Sequence, residues 1–360
     1  MASCRIQGGI IMRWPKHVQI KEVGPRDGLQ NESTWVNTDD KVAWINMLSQ
    51  SGLKEIEYSS FVHPRWIPAL KDAREVGKRI HRNPNVTYSA LVPNEKGLEH
   101  ALEAGIDMAS VFMSASETHN RNNINKSIAK TYPVIGNVIE TAKAENKRVT
   151  GYVSTVFDCP FEGKVDIDAV LRVCDRLFEL GIDDLSLGDT IGTAVPSEVE
   201  SLLEAVTYRF PNKSIILHFH DTRGMAIANI MTAMNYGITR FDSSLGGLGG
   251  CPYAPGAAGN VATNDLLYLL QGLDTFTGVD ETKVQEASLF IQDKLNKPLP
   301  SRSLSYLESQ VNQEEEQLQV AGAETSNQSF ESGPQRKREI IYVFLKNQLK
   351  NQYDKFRSKE

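Results

Sequence analysis

The stretch Ile167–Thr190 reads IDAVLRVCDRLFELGIDDLSLGDT and contains one complete unit of the kind that decides the fold. Its first part, Ile167–Leu180, has the spacing of apolar residues that is typical of an amphipathic helix. Gly181 follows, at a point where helices commonly end in a left-handed residue, and Asp184–Leu187 is a short predicted strand. The strand runs into Gly188-Asp189-Thr190, so a helix, a tight turn and a strand with a polar end follow one another directly.

The same rhythm repeats along most of the chain. The strand candidates are His17–Val23, Glu55–Ser59, Val86–Val92, Met108–Met113, Val149–Thr155, Asp184–Leu187, Ser214–Phe219 and Thr239–Ser243. The helical candidates are Asp39–Ser51, Ile67–Arg82, Asn94–Ala104, Ser127–Ala144, Ile167–Leu180, Ser197–Arg209, Met225–Tyr236 and Asn260–Gln271. Eight strands and eight helices within about 250 residues predict an α/β protein with the (β/α)8 TIM-barrel fold. A doubly wound sheet is the alternative, but such a sheet usually stops at about five to seven strands.

The composition of the chain changes after Pro298-Leu299-Pro300, which predicts the end of the barrel. The predicted organisation is an N-terminal extension over 1–15, a TIM-barrel catalytic domain over 16–303 and a C-terminal extension over 304–360. Residues 311–335 are rich in Gln, Glu, Ser, Asn and Gly, a composition typical of partly disordered segments. The apolar run Ile340–Leu345 could form a terminal helix. The extension is therefore interpreted either as a dispensable tail or as a contact helix for a partner.

Charge and cysteine content exclude several classes of protein. The 360 residues carry a formal net charge of −6, which supplies no broad basic field for nucleic acid or for a membrane surface. The longest apolar runs are far shorter than the roughly 18 residues that a membrane span needs. The four cysteines are widely spaced and include no C-x-x-C pair, which favours a reducing compartment. We therefore predict a cytoplasmic location and favour it over the mitochondrial matrix.

The predicted strands end in polar residues, and in a barrel these ends share one mouth, where active sites lie. His218 and His220 are two residues apart on one strand, so both side chains point to the same side, the barrel interior. Asp27 ends the first strand. In a closed barrel the first strand pairs with the eighth, and the seventh strand, which carries both histidines, lies beside the eighth. Two histidines and a carboxylate suit Mg²⁺, Mn²⁺, Co²⁺ or Zn²⁺. The alternative for the histidines is a structural, hydrogen-bonded role.

Three further residues could carry chemistry at this mouth. Arg26 keeps its charge in a protein and could stabilise an enolate oxygen, or it could form a salt bridge at the mouth. Glu57 lies in an apolar strand and needs a partner when buried, for which Arg26 is the expected one. Cys251 follows a glycine-rich run that could close over a substrate, form an irregular surface loop or cradle an anion.

These residues lie in motifs that resemble one family, the bacterial-type 3-hydroxy-3-methylglutaryl-coenzyme A (HMG-CoA) lyases. The family belongs to a superfamily of metal-dependent TIM-barrel lyases and synthases. The resemblance covers about Lys16 to Ser303. The motifs that carry it are Gly24–Glu32, Val111–Asn120, Leu187–Gly192, His218–Thr222, Gly249–Ala257 and Pro298–Arg302. Among them, the glycine loop with Cys251 distinguishes the lyases from other branches of the superfamily.

The resemblance implies an activity and a set of site residues. The implied activity is divalent-metal-dependent cleavage of HMG-CoA to acetyl-CoA and acetoacetate, the chemistry of leucine degradation, with Mg²⁺ or Mn²⁺ preferred. The implied metal ligands are Asp27, His218, His220 and Asn260. The implied catalytic residues are Arg26, Glu57, Asp189 and Cys251. The implied substrate-binding residues are Arg26, Asn31, Gly249 and Gly250. We also expect an acyl-CoA substrate and a homodimer, with neither nucleic acid nor membrane as a partner.

One residue departs from the family pattern. After Asn260 the family usually reads Ala-Thr-Glu-Asp, whereas this chain reads Ala262-Thr263-Asn264-Asp265, so an amide replaces a carboxylate that helps to order the site. Either Asp265 and neighbouring groups compensate or turnover is reduced. Two other functions stay open at this point: a condensing acyltransferase of the isopropylmalate or homocitrate synthase type, and a catalytically weakened barrel that acts as a binding protein.

Overall fold

The computed structural model describes residues 14–250, 259–310 and 313. The chain divides into two units, Met1–Pro300 and Ser301–Glu360. The first unit contains the barrel and all the elements that follow. In the second unit, residues 302–310 are helical. The domain boundaries predicted from the sequence stay a prediction.

The barrel is built from eight parallel strands and is closed, because the first strand pairs with both the second and the last. The strands are β1 Gln19–Glu22, β2 Glu55–Ser60, β3 Thr87–Leu91, β4 Met108–Ser114, β5 Arg148–Ser154, β6 Asp184–Asp189, β7 Ser214–Phe219 and β8 Arg240–Ser243. In the closing pair, Ile20 lies beside Phe241. The TIM-barrel prediction is confirmed, and so is the placement of β7 beside β8 and of β8 beside β1.

Helices connect the strands. They are α1 Thr38–Ser49, α2 Ala73–Arg79, α3 Glu95–Glu103, α4 Glu117–Ile124, α5 Ile128–Ala144, α6 Ile167–Leu180, α7 Pro196–Arg209, α8 Ala226–Asn235, α9 Thr263–Gly272 and α10 Glu281–Leu295. The ends of α6 show why this helix could be predicted from the sequence. Asp166 caps the helix by accepting from the Asp168 N–H, and Gly181 ends it with φ of 100°. Within the described residues, no helix combines the length and apolar character needed to cross a membrane.

The structure corrects the predicted elements in four places. The single helix predicted over Ile67–Arg82 is a 3-10 turn, Pro68–Leu70, followed by the shorter α2. The polar helix α4 and the final helix α10 were not predicted. Asn260 was predicted to start the eighth helix. It instead lies in extended backbone that bridges to His220, and α9 begins at Thr263.

The barrel interior is lined by every second strand residue, and much of that lining is polar. On β2, Glu55 and Glu57 are buried within the barrel while Ile56 is buried on the side that faces the helices. On β8, Arg240 reaches Glu55 across the interior. Apolar residues therefore pack between the strands and the helices, and charged residues occupy much of the barrel interior.

Candidate metal centre and active site

Two histidines and an aspartate meet at the carboxyl end of the barrel. A short π-helical turn, Gly24–Gly28, directly follows β1 and turns Asp27 into the mouth. The Asp27 Oδ2 atom lies 3.8 Å from His218 Nε2 and 3.9 Å from His220 Nε2. One ligand atom from each of the three residues lies within 4.8 Å of the others, and all three residues are buried. The prediction that both histidines face the barrel interior beside Asp27 is confirmed.

Asn260 completes this group from a different element. Its backbone bridges to His220, and its Nδ2 donates to Asp27 Oδ2 at 2.8 Å. Its Oδ1 is buried and has no hydrogen-bond partner among the described residues. An amide oxygen buried without a partner costs free energy, which a cation bound beside it would offset. Two imidazoles, a carboxylate and this amide oxygen form a donor set that fits a divalent metal ion.

Asp242 lies behind His218 and fixes its orientation. The His218 Nδ1 atom lies 3.2 Å from Asp242 Oδ2, which also accepts from Ser186 Oγ at 3.1 Å. A carboxylate on Nδ1 leaves Nε2 facing Asp27, the arrangement found behind metal-binding histidines. Burial alone would lower the pKa of His218, but the Asp242 hydrogen bond and the charge of Asp27 outweigh it and raise the pKa.

Arg26 joins the metal-binding turn to β2. Its Nε donates to Glu57, and its Nη1 contacts the Asp27 carboxylate. The guanidinium also lies 5.6 Å from the centre of the Tyr152 ring. The prediction that buried Glu57 is partnered by Arg26 is therefore confirmed. Burial tends to raise the pKa of Asp27, but Arg26 and the two histidines more than reverse this and hold it well below the usual range.

The structure gives Asp189 a position at the end of β6. Its two carboxylate oxygens accept from the backbone N–H groups of Thr193 and Ala194, each at 3.1 Å. Burial raises its pKa despite these bonds and the charge of His220. Asp189 therefore holds the loop after β6 near the candidate metal ligands. Its assignment as a catalytic residue stays a prediction.

The first part of the glycine-rich loop lies against the same site. The Asn31 Nδ2 donates to the Gly250 carbonyl oxygen at 2.8 Å. Gly249 has φ of 132°, and a Cβ there would lie 2.9 Å from the Asn260 amide nitrogen, so only glycine fits. These contacts bring the predicted substrate-binding residues Asn31, Gly249 and Gly250 to the barrel mouth. Cys251 lies outside the described residues.

Sequence reasoning missed several buried groups at this end. Glu22 is completely buried, and burial raises its pKa to about 7 although three hydrogen bonds to its carboxylate lower it. Asp242 and Tyr152 were also missed. Asp242 lies two residues after Arg240 on β8, so both side chains point to the same side of the strand. The interior position of Asp242 could therefore have been found from the period of the strand. Tyr152 gave no such signal, because an aromatic residue in a strand usually packs in the core.

Asn264, where the family usually has Glu, also has defined partners. Its Oδ1 accepts from the Gly246 N–H at 2.8 Å, and its Nδ2 lies 3.1 Å from Ser288 Oγ on α10. The amide thus accepts and donates at once, which a carboxylate cannot do. Gly246 and Ser288 thus hold the Asn264 amide in place, and the effect of this residue on turnover stays a prediction.

An eight-stranded barrel that gathers two histidines, a carboxylate and an amide at its carboxyl ends defines a metal-dependent TIM-barrel enzyme. The HMGL-like family model matches residues 17–291, so the chain belongs to the HMGL-like family, whose members depend on a metal. Its named relatives make it a carbon–carbon lyase.

Three relatives show the extent of the similarity. The hydroxymethylglutaryl-CoA lyase YngG of Bacillus subtilis is 57% identical over 298 residues, which cover 83% of this chain and all of that protein. A crystal structure of the B. subtilis HMG-CoA lyase has a TM-score of 0.81 over 82% of this chain and 100% of its own. An HMG-CoA lyase from Acinetobacter baumannii, in complex with coenzyme A and 3-methylmalate, is 36% identical with a TM-score of 0.76 and covers 89% of this chain and 98% of its own.

Proposed function

We propose that this chain cleaves HMG-CoA to acetyl-CoA and acetoacetate with the help of a divalent metal ion. The observation that carries the proposal is the convergence of Asp27, His218, His220 and the partnerless amide oxygen of Asn260 beside Arg26. The coenzyme A bound in the A. baumannii relative supports an acyl-CoA substrate. The chain also matches a protein named hydroxymethylglutaryl-CoA lyase over the whole length of that protein, which supports HMG-CoA as the particular substrate.

Four residues would hold the metal: Asp27, His218, His220 and Asn260. When bound, the ion would act as a Lewis acid that lowers the pKa of the substrate's 3-hydroxyl group. Asp189 is the candidate base that would accept this proton, and the oxygen then forms the new ketone of acetoacetate while the bond between C2 and C3 breaks. The electron pair of that bond passes to C2 and gives the enolate of acetyl-CoA.

The chain's own residues then act on this enolate. Arg26 places its positive charge beside the negative enolate oxygen, and Glu57 holds the guanidinium in that position. Cys251 delivers the proton to C2, which completes acetyl-CoA. Asp189 assists by holding the loop after β6, and Asn31, Gly249 and Gly250 bind the substrate at the mouth.

Mg²⁺ or Mn²⁺ is the proposed ion, because half of the donor set consists of carboxylate and amide oxygen. The two imidazoles keep Co²⁺ and Zn²⁺ as alternatives. We further propose a homodimer and a cytoplasmic location. The bacterial relatives and the absence of a C-x-x-C pair from the sequence support the location. A condensing acyltransferase is not favoured, because the named relatives are lyases.

The experiment is a coupled assay for both products. Purified protein is incubated with HMG-CoA and Mg²⁺ or Mn²⁺, and acetyl-CoA and acetoacetate are measured separately. The expected result is one acetyl-CoA for each acetoacetate. A parallel incubation with acetyl-CoA and a 2-oxo acid, with free coenzyme A as the readout, tests the condensing reaction. Release of coenzyme A there, with no cleavage of HMG-CoA, would contradict the proposal.

A further inference from the structure

We infer that Glu22 and Asn264 are positioning residues that together hold the base of the glycine-rich loop, and that Glu22 joins this base to the turn that carries Arg26 and Asp27. The loop base is the 3-10 turn Leu245–Gly247 that follows β8. The inference deepens the proposed function and rests on it for one of its three readouts; the other two need no activity.

One carboxylate oxygen of Glu22 connects the two segments. Its Oε1 accepts from the backbone N–H of Gly24 at 2.7 Å and from that of Leu245 at 2.9 Å. Gly24 begins the π-helical turn that presents Asp27, and Leu245 begins the loop base. A side chain at Gly24 would lie 2.6 Å from this same oxygen, so the approach is close. The metal-binding turn and the loop base therefore share a single acceptor atom.

The second oxygen of Glu22 reaches a third element. Its Oε2 accepts from Thr263 Oγ1 at 2.7 Å, and the same hydroxyl lies 2.7 Å from Ser243 Oγ at the end of β8. A fully buried carboxylate is costly, and these hydrogen bonds offset the cost by satisfying both oxygens. No cation is needed for this arrangement, which makes Glu22 a connector rather than half of an ion pair.

Asn264 holds the next backbone N–H along the loop base. Its Oδ1 accepts from Gly246, whose φ of +64° turns the chain at this point. Ser288 fixes the other end of the amide, with Asn264 Nδ2 3.1 Å from Ser288 Oγ. Two consecutive N–H groups, those of Leu245 and Gly246, thus each end on a buried side chain, from β1 and from α9 respectively.

The residues that follow the loop base contact the candidate site. The Leu248 carbonyl lies 3.4 Å from Asn260 Nδ2, and the Gly250 carbonyl accepts from Asn31 at 2.8 Å. Loss of Asn264 should therefore misplace the loop and leave the metal ligands in position. Loss of the Glu22 carboxylate should disturb both the loop and the turn that presents Asp27, because its oxygens accept hydrogen bonds from both segments. This difference separates the two residues in one experiment.

The experiment compares Glu22→Gln, Asn264→Ala and Asn264→Asp with the wild type. Asn83→Ala is the matched control: its Nδ2 donates to the Ser49 carbonyl at 2.7 Å, at the opposite end of the barrel. The readouts are Mn²⁺ affinity of the metal-free protein, hydrogen exchange of a peptide spanning 244–250, and kcat and KM. For Asn264→Ala we expect exchange to rise about 10-fold and kcat to fall by about 10–100-fold, with Mn²⁺ affinity unchanged. Asn264→Asp keeps the acceptor and should recover most of the kcat.

For Glu22→Gln we expect Mn²⁺ affinity to fall about 10-fold, as for a group behind a metal ligand, together with faster exchange. Asn83→Ala should lower only the melting temperature. Variants at Glu22 and Asn264 that behave like Asn83→Ala, with unchanged exchange, affinity and kcat, would overturn the inference. If the wild type fails to cleave HMG-CoA, the proposed function fails, and the exchange and affinity readouts still decide this inference.

Discussion

The two ends of the barrel interior both bury charged side chains, but only one of them resembles a binding site. At the amino end, buried charged groups of the described residues pair with opposite charges. Arg240 lies 2.5 Å from Asp184 and 3.0 Å from Glu55, and Lys21 lies 3.0 Å from the other oxygen of Glu55. The described residues at this end contain no group of histidine, cysteine and carboxylate ligand atoms close enough together to hold a metal ion.

The carboxyl end is arranged differently. The Nε2 atoms of His218 and His220 approach Asp27 only to 3.8 and 3.9 Å, beyond hydrogen-bond distance, and the Asn260 Oδ1 is buried without a hydrogen bond. Arg26 is closely paired there with Glu57 and Asp27, and Asn260 Nδ2 donates to Asp27 at 2.8 Å. Buried charge by itself therefore does not mark a site. The convergence of ligand atoms from two histidines and a carboxylate does.

The largest expected effect follows from removing one converging atom. His218→Ala should abolish metal binding and lower kcat by at least about 10³-fold, beyond the 10–100-fold cost of losing a group behind a ligand. Far-ultraviolet circular dichroism should stay unchanged, because the site lies at the barrel mouth. His81→Ala, exposed outside the site, is the control. Turnover near that of the control would show that the ligand assignment is wrong.

Cys251→Ser should have the next largest effect, and it separates proton transfer from metal binding. The substitution removes an acidic thiol and nearly keeps its size, so kcat should fall about 10²-fold. KM and metal content should change little, which is the signature of a group that acts mainly in the transition state. A variant with full kcat would make Cys251 a structural residue of the loop.

Asp242→Ala tests the support behind the site. Without the carboxylate, His218 Nδ1 loses its acceptor and the ring loses its fixed orientation, so metal affinity should fall by about 10–100-fold. Isothermal titration of the metal-free protein with Mn²⁺ measures this directly. Excess Mn²⁺ should restore most of the kcat, which it cannot do for His218→Ala. Unchanged affinity would mean that Asp242 belongs functionally to the amino-end network.

The smallest effect on catalysis is expected at the amino end. Arg240→Met leaves Asp184 and Glu55 without one partner each, so the free energy of unfolding should fall by about 3 kcal/mol. The kcat of the folded fraction should stay within about twofold of the wild type, because no ligand atom moves. Urea unfolding and active-fraction assays provide the two numbers. A 10-fold loss of kcat without a loss of stability would erase the contrast between the two ends.

The fold could be predicted from the sequence because each unit repeats the same local signals. The predicted strands agree with the observed ones to within a few residues. Gly181 has positive φ as expected, and Gly52, Gly105 and Gly237 share this conformation. Helix α4 was missed because its residues are mostly polar and give no apolar period. Its one signal, Ser116 accepting from the His119 N–H, is a cap that only becomes evident with the structure.

The candidate site could be predicted only in part. Residues at strand ends, such as His218 and Asp27, can be placed from topology alone. The role of Glu22 depends on Leu245 and Gly24 meeting in space, and no pattern in the sequence records that meeting. The partner of Asn264 is likewise on α10, an element that was not predicted. The sequence by itself does not show which distant segments are joined by hydrogen bonds.

The central claim, that the carboxyl end holds a metal ion needed for cleavage, is tested most directly by one titration. Protein is stripped with a chelator, its metal content is measured by elemental analysis, and HMG-CoA cleavage is followed as Mg²⁺ or Mn²⁺ is added back. We expect negligible turnover in the stripped sample and recovery that saturates at about one ion per chain. Full turnover in a sample shown to contain no metal would contradict it.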